Sequence, residues 1–186
     1  MQTRGAVGQR IRRTSVIAAA LVLFAGAIGY LLLEKRPGYG AYYGIAKLTG
    51  ARLDLGPVDF KTLRRRTSPN DALVCAAGQC PNATSDREAR TYAMPPQELL
   101  ARLTRIALDE PRTQSLYCGA DCDRTARFIQ YSRIMRYPDT IDVAVFSAGE
   151  GQSSIAIYSR SLVGYSDFGV NRARVERWLA ALDQLT

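Results

Sequence analysis

Histidine is absent from this chain of 186 residues. Its absence excludes a Ser-His-Asp triad, a Cys-His pair, a histidine-ligated zinc site and a histidine general base. The sequence also lacks a Gly-x-Ser-x-Gly elbow, a nucleotide-binding glycine loop and an EF-hand. Enzymatic activity is therefore the less favoured class of function. No catalytic residue, cofactor or metal site is predicted.

The chain has no low-complexity tract and no internal repeat, which argues against disorder and against a solenoid. Its hydrophobic content of 47% and charged content of 23% are typical of one globular domain. The 25 basic residues exceed the 17 acidic residues, so the formal net charge is +8. This excess favours anionic partners such as phospholipid headgroups or acidic protein surfaces. Without a nucleic-acid-binding motif, it does not predict a nucleic-acid partner.

One long run without charge lies near the N-terminus. Residues 15–33, SVIAAALVLFAGAIGYLLL, are about long enough as a helix to cross the hydrocarbon core of a bilayer. We therefore predict one transmembrane helix at 15–33, preceded by a basic tail at 1–14. The alternative is a cleaved signal peptide, because residues 25–27 have the small-x-small form that precedes cleavage sites. The apolar run continues past those residues, which favours an anchor.

Basic residues flank both ends of this segment in nearly equal number, so charge alone does not orient it. Two other features favour export of the C-terminal part. A long domain can cross a membrane largely regardless of its charge, and four cysteines suit an oxidising compartment. The prediction is a single-pass protein of the inner membrane whose C-terminal domain lies in the periplasm.

Residues 34–73 are rich in glycine and contain Pro37 and Pro57, a composition that resists long regular elements. They are predicted to form an irregular juxtamembrane arm. Lys61 and residues 64–66 make a basic cluster in this arm. The cluster is interpreted either as a contact with anionic lipid or as an ordinary solvated loop.

Residues 74–186 are predicted to form an α+β domain. Pro96 opens a segment with helical spacing of apolar residues and Pro111 closes it, which predicts a helix over 96–109. A second apolar stripe with the same spacing, which includes Trp178, predicts a closing helix that Asn171 caps.

Between these helices, apolar residues alternate with the period of a strand over 129–137, 141–145 and 155–157. The turns are predicted at 137–139, Tyr-Pro-Asp, and at 149–151, Gly-Glu-Gly. The economical fold is a small antiparallel sheet of three or four strands, packed with two helices on one face.

The C-terminal part carries a recognisable pattern. Residues 158–176, YSRSLVGYSDFGVNRARVE, resemble the closing signature of the family called domain of unknown function 1499, approximately R-S-x-S-R-x-G-x-S-D-x-G-x-N-R-x-R-V-E. The resemblance covers about 70–186. It implies a compact α+β domain, often exported or membrane-associated, and it implies no particular activity.

The four cysteines form two close pairs, Cys75 with Cys80 and Cys118 with Cys122. Three disulfide connectivities are possible. We expect bridges between the two regions, which would tie the arm to the start of the sheet. A four-thiolate zinc site accepts comparable spacings and is the alternative.

The signature segment also predicts a candidate anion site. A helix that begins near residue 171 would direct free N–H groups toward the preceding loop, beside several arginine side chains. The candidate ligand-binding residues are Arg160, Ser161, Ser166, Asn171, Arg172 and Arg174. The competing interpretation is structural: Gly164 and Gly169 permit a tight turn, Asp167 or Asn171 caps the helix, and an arginine pairs with Asp167.

These observations lead to two functional hypotheses. The first is a non-catalytic, membrane-anchored domain that contacts a membrane-protein or envelope partner. The alternative is a protein that binds lipid or a small anion through the signature turn at 160–174.

Overall fold

The computed structural model describes residues 19–26, 28–29, 41–117 and 121–185. The chain divides into two units, Met1–Arg36 and Pro37–Thr186. In the first unit, residues 19–26 and 28–29 are helical. Among the described residues no helix is long and apolar enough to cross a membrane. The span predicted at 15–33 lies partly outside these residues, and the basic tail lies wholly outside them.

The second unit is an α+β domain built on one sheet of six strands. The strands are β1 (Asp71–Cys75), β2 (Arg87–Glu88), β3 (Thr113–Leu116), β4 (Thr125–Tyr131), β5 (Pro138–Gly149) and β6 (Gln152–Ser161). Their order across the sheet is β2-β1-β6-β5-β4-β3. Every neighbouring pair is antiparallel except β1 with β2. The α+β class is therefore confirmed, whereas the prediction of three or four strands is wrong.

The second unit contains the helices α1 (Ala41–Thr49), α2 (Pro96–Asp109) and α3 (Val170–Asp183). The bounds of α2 agree with the prediction. The cap predicted for α3 is wrong, because Gly169 occupies that position and Asn171 lies inside the first turn. Gly169 has φ 81°, a left-handed conformation that costs glycine little.

The turn between β4 and β5 also differs from the prediction. β4 ends at Tyr131, and residues 132–137 form the connection, so the strand predicted over 129–137 is too long. Ser132 closes this connection: its N–H donates to the Tyr137 carbonyl at 2.9 Å, and its hydroxyl accepts from the Tyr137 N–H at 2.9 Å. Met135 and Tyr137, which continue the apolar alternation, lie in this connection and are exposed. The turn predicted at 149–151 is confirmed between β5 and β6.

The two faces of the sheet have different covers. Helices α2 and α3 pack on the face formed by Ile141, Val143, Ile155 and Ile157, which we call the helix face. There the rings of Phe128 and Trp178 meet edge to face, with centroids 5.7 Å apart. Edge-to-face contacts of this kind contribute about 1 kcal/mol beyond the apolar area that they bury.

The opposite face is covered by part of the segment predicted as an arm, and we call it the arm face. Phe60 and Leu63 are buried there against Leu73, Ala156 and Tyr158. Residues 50–70 contain no helix or strand, as their glycine and proline content predicts. Residues 41–49, however, are helical, so the arm is not irregular throughout.

Cys75 and Cys80 form a disulfide with a Cα–Cα distance of 6.3 Å. The expectation that these cysteines bridge two distant regions, or share a four-thiolate zinc site, is therefore wrong. The intervening turn brings the ends together through Gly78, which has φ 72°. Cys122 is also disulfide-bonded, and Cys118 lies outside the described residues.

Candidate functional site

The signature residue Arg174 lies under α3 against the helix face and is 2% exposed. Its Nη2 donates to Asp139 Oδ2 at 2.7 Å and its Nε donates to Gln130 Oε1 at 2.6 Å. Its Nη1 donates to Ser159 Oγ at 2.8 Å and to Asn171 Oδ1 at 2.5 Å. A buried guanidinium is tolerated only when its donors are satisfied, and all three nitrogens have partners here.

Asn171 extends the same network. Its side-chain amide donates to Ser161 Oγ at 2.9 Å, to the Asn70 carbonyl at 3.1 Å and to Asp167 Oδ2 at 2.8 Å. Its carbonyl oxygen accepts from Ser159 Oγ at 2.6 Å. The network therefore fastens the start of α3 to the ends of β1 and β6, which is a structural role.

Asp167 lies at the N-terminus of α3. Its Oδ1 accepts from the Gly169 N–H at 3.0 Å, and its Oδ2 accepts from the Asn171 N–H at 2.8 Å. The position expected for an external anion at a helix N-terminus is thus occupied by a carboxylate of the chain itself. Gly164, with φ 94°, adopts the left-handed conformation expected for the turn.

Arg160 does not join this network, because alternate residues of a strand point to opposite faces. It lies on the arm face, where its Nη2 donates to the Gly56 carbonyl at 2.6 Å and to Asp142 Oδ2 at 3.3 Å. Arg127 completes the cluster, with Nε 2.8 Å from Asp142 Oδ1 and Nη2 2.7 Å from Asp54 Oδ1. These ion pairs hold the chain around Asp54 against the sheet.

The two carboxylates of this cluster have pKa values shifted in opposite directions. Burial raises the pKa of Asp142 above its usual value, despite the hydrogen bond from Arg127 and the charges of Arg160 and Arg127. Burial also disfavours the ionised form of Asp54. Hydrogen bonds from Arg127 and from the Gly56 N–H outweigh this effect, so the pKa of Asp54 is lowered.

The remaining predicted residues are exposed. Ser166 Oγ accepts from the Phe168 N–H at 3.3 Å, and Arg172 Nη2 lies 3.2 Å from Asp86 Oδ1. The structure therefore distributes the six candidate ligand residues over three places: the buried network, the arm face and the surface. They do not converge on one open anion site.

A cleft of about 750 Å³ lies beside the buried network, between α2, α3, the connection that follows α2 and the adjoining ends of β4 and β5. Its volume falls in the range typical of small-molecule sites. Apolar walls and several arginines share its lining: Ile106, Asp109, Glu110, Pro111, Arg112, Gln130, Tyr131, Ser132, Arg133, Asp139, Val170, Arg174, Arg177, Trp178 and Ala181. The predicted site residue Arg174 thus forms part of a cavity after all.

Besides Arg174 and Asp139, Arg177 and Glu110 form an ion pair in the cleft wall. Arg177 Nε is 3.2 Å from Glu110 Oε1, and Gln130 Nε2 donates to Glu110 Oε2 at 2.9 Å. Burial disfavours the ionised form of Glu110, but these two hydrogen bonds outweigh the effect and lower the pKa of Glu110. The carboxylate thus stays charged at neutral pH and balances one of the cleft's cations.

Trp178 contributes a buried donor to the wall. The side chain is fully buried, and within the described part of the chain no acceptor lies within hydrogen-bonding distance of its Nε1. A buried donor without an acceptor costs about 1–3 kcal/mol. A ligand oxygen is one group that would relieve this cost.

Arg112 and Arg177 line the cleft but are not among the site residues predicted from the sequence. Trp178 is predicted only as part of the apolar stripe of a helix. Arg177 lies one turn after Arg174, so helical spacing could have placed both on neighbouring sides of α3. No sequence pattern indicates that Arg112, which follows α2, comes to the same cavity.

The model of the family described as "protein of unknown function (DUF1499)" matches residues 63–182. The chain belongs to the DUF1499 family. Among curated proteins, nothing matches. The DUF1499 match includes the buried network and all the residues that line the cleft, whereas Asp54, Gly56 and Phe60 precede it.

Proposed function

We propose that this chain is a membrane-tethered, non-catalytic domain that binds an amphipathic anion in the cleft between α2 and α3. The tether is the apolar segment 15–33, and the domain lies on the periplasmic side of the inner membrane. The Cys75–Cys80 disulfide supports an oxidising compartment. The absence of histidine from the sequence supports a binding role.

The cleft lining is the observation that carries this proposal. The lining carries four arginines against three acidic residues, so an excess of positive charge remains for a carboxylate or phosphate, and guanidinium groups bind both in fork geometry. Ile106, Val170 and Ala181 offer apolar surface to the rest of the molecule. A ligand with one anionic end and one apolar part matches both kinds of wall.

Native mass spectrometry of the full-length chain, released gently from its own membrane, tests the proposal. We expect one organic anion to remain bound to each chain. Ala181→Trp should remove it by filling the cleft, whereas Ala180→Trp, on the exposed side of the same helix, should retain it. Arg177→Gln is a second variant that should weaken retention without adding bulk. Retention by Ala181→Trp and Arg177→Gln alike would refute the proposal.

A second candidate function is contact with a membrane-protein or envelope partner. The observation that favours it is the exposure of Ile45 and Leu48 on α1, at 54% and 88%. Exposed aliphatic side chains on one short helix are typical of a protein contact. In the same spectra, a stoichiometric protein that copurifies with the chain and is lost from Leu48→Ser would favour this candidate.

A further inference from the structure

The connections at one end of the sheet form a single surface. β4 ends, β5 begins and β6 ends at this side, so residues 132–137 and residues 162–169 emerge together. The Leu162 N–H donates to the Pro138 carbonyl at 3.1 Å, which ties the two connections to each other. We call residues 132–137 and 162–170 the tip surface.

Large apolar side chains project from the tip surface into solvent. Phe168 is 96% exposed, Ile134 is 76% exposed and Tyr165 is 75% exposed. Met135, Tyr137, Val163 and Val170 add to the same exposed set. At the opposite end of the sheet, the β5–β6 connection is Gly149-Glu150-Gly151, which presents no large apolar side chain. A concentration of exposed apolar side chains, as on the tip surface, marks an interaction site.

Backbone conformation at this end supports a functional role. In the described part of the chain, the non-glycine residues with positive φ are Arg112 at 63°, Arg136 at 57° and Phe168 at 54°. Arg112 directly precedes β3, Arg136 lies two positions before the start of β5, and Phe168 lies two positions before the start of α3. All three therefore lie at this end of the sheet. Such conformations cost about 1–3 kcal/mol and cluster at functional sites. Phe168 is 96% exposed, so burial of its side chain does not offset this cost.

The charges around the tip surface suit a negatively charged surface. Arg133 is exposed within it, and Arg112 is half-buried beside it. Its acidic residue Asp167 is held by the N–H groups of Gly169 and Asn171. Basic side chains beside exposed aromatic and aliphatic groups are the combination that binds the interface of an anionic bilayer.

Helix α1 connects the tip surface to the N-terminal part of the chain. The Tyr42 N–H donates to the Met135 carbonyl at 3.4 Å, and the Tyr42 and Tyr137 rings meet edge to face at 5.7 Å. Seven residues separate Leu33 from Ala41. The eight residue steps from Leu33 to Ala41 span at most about 29 Å when fully extended. If segment 15–33 crosses a bilayer, this covalent limit keeps α1 close to that bilayer. The connection 132–137, which α1 contacts through Tyr42, is then close to it as well.

We propose that the tip surface docks on the anionic phospholipid bilayer and inserts Phe168, Tyr165 and Ile134 between the headgroups. Docking rests on the tether of the proposed function and adds an orientation to it. Arg133 and Val170 belong both to the tip surface and to the cleft lining, so docking places part of the cleft wall at the lipid headgroups.

The test uses two matched tryptophan probes in the full-length chain. Tyr165→Trp places a probe on the tip surface, and Tyr117→Trp places one after β3 at the opposite end of the sheet, where Tyr117 is 81% exposed. Each variant is reconstituted into vesicles of phosphatidylcholine and phosphatidylglycerol, with either ordinary or brominated acyl chains. Bromine quenches tryptophan emission only near the acyl region, and the buried Trp178 contributes the same background to both variants.

We expect a blue shift and a loss of emission for Tyr165→Trp in brominated vesicles, with no change for Tyr117→Trp. Adding Phe168→Gly to the Tyr165→Trp chain should reduce the quenching. Because glycine relieves the strain at φ 54°, this substitution should leave the fold equally or more stable. Reduced quenching would then report lost lipid contact.

Flotation of the same vesicles separates docking from the tether. If the chain floats with the vesicles but the emission of Tyr165→Trp is not quenched, the membrane tether is supported and docking of the tip surface is refuted. Equal quenching of the two probes refutes docking as well, because no particular end then faces the lipid. If the chain does not float, the tether is refuted, and docking, which rests on the tether, is refuted with it.

Discussion

Arg174 on α3 and Asp139 on β5 form an ion pair, with Nη2 2.7 Å from Oδ2, and the arginine side chain is 2% exposed. The pair joins the last helix to β5, one of the two central strands of the sheet. Two positions earlier, Arg172 belongs to the same signature, but its side chain is 67% exposed. The two arginines therefore have different roles, although they are close in sequence.

Replacement of each arginine by methionine should separate these roles. Arg174→Met leaves Asp139 buried without its cation, which should lower the free energy of unfolding by about 3–5 kcal/mol. Arg172→Met removes a surface ion pair with Asp86 and should cost less than about 1 kcal/mol. Urea unfolding at neutral pH, followed by circular dichroism, measures both. Similar losses for the two variants would contradict the assignment of Arg174 to the buried network.

The sequence predicts the elements that have a clear period and clear ends. Helix α2 lies between Pro96 and Pro111, and strands β5 and β6 meet at Gly149-Glu150-Gly151, so local patterns suffice. Three strands were missed for physical reasons. β1, DALVC, is largely buried and lacks the alternation of a half-exposed strand, β2 has two residues, and β3, TQSL, is mostly polar.

The candidate site was predictable only in part. Alternation along β6 separates Ser159 and Ser161 from Arg160, so a period of two could have assigned Arg160 to the other face. The ion pair of Arg174 with Asp139 joins residues 35 positions apart, and no local pattern specifies such a contact. The cleft needs α2, α3 and β4 together, so it becomes visible only when the fold is known.

The Cys75–Cys80 disulfide closes a loop with a sequence separation of only five. Because the entropy removed from the unfolded chain grows with loop length, this bridge should contribute about 2 kcal/mol, less than a bridge between distant regions. Urea unfolding of Cys75→Ala/Cys80→Ala, compared with the parent chain, measures the contribution. The single variant Cys80→Ala also lacks the bridge but keeps the Cys75 side chain, so its difference from the double variant reports the packing of Cys75 against Phe60 and Leu63. A loss above about 4 kcal/mol would show that the bridge does more than close its own turn.

Glu110 should make the fold sensitive to acid. Its carboxylate lies between Arg177 and Gln130, and its pKa in the folded chain is below the ordinary value of 4.5. Near and below pH 4.5 the unfolded chain therefore binds more protons than the folded chain at this position, so stability rises with pH there. The contribution is fully present above pH 4.5 and is lost as the pH falls through the folded pKa.

Glu110→Gln should therefore flatten the dependence of the unfolding free energy on pH below 4.5. At neutral pH the variant should also be less stable, because Arg177 then lacks its carboxylate. Urea unfolding at pH 7 and at several acidic values measures both effects, with Glu150→Gln, exposed in the β5–β6 turn, as the matched amide substitution. The pKa of Asp142 is shifted in the opposite direction, so protonation of Asp142 in acid favours the folded chain and offsets part of the total loss of stability. This contribution of Asp142 is also present in Glu110→Gln. An unchanged difference between parent and Glu110→Gln at every pH would mean that the Glu110 carboxylate is not held by the cleft wall.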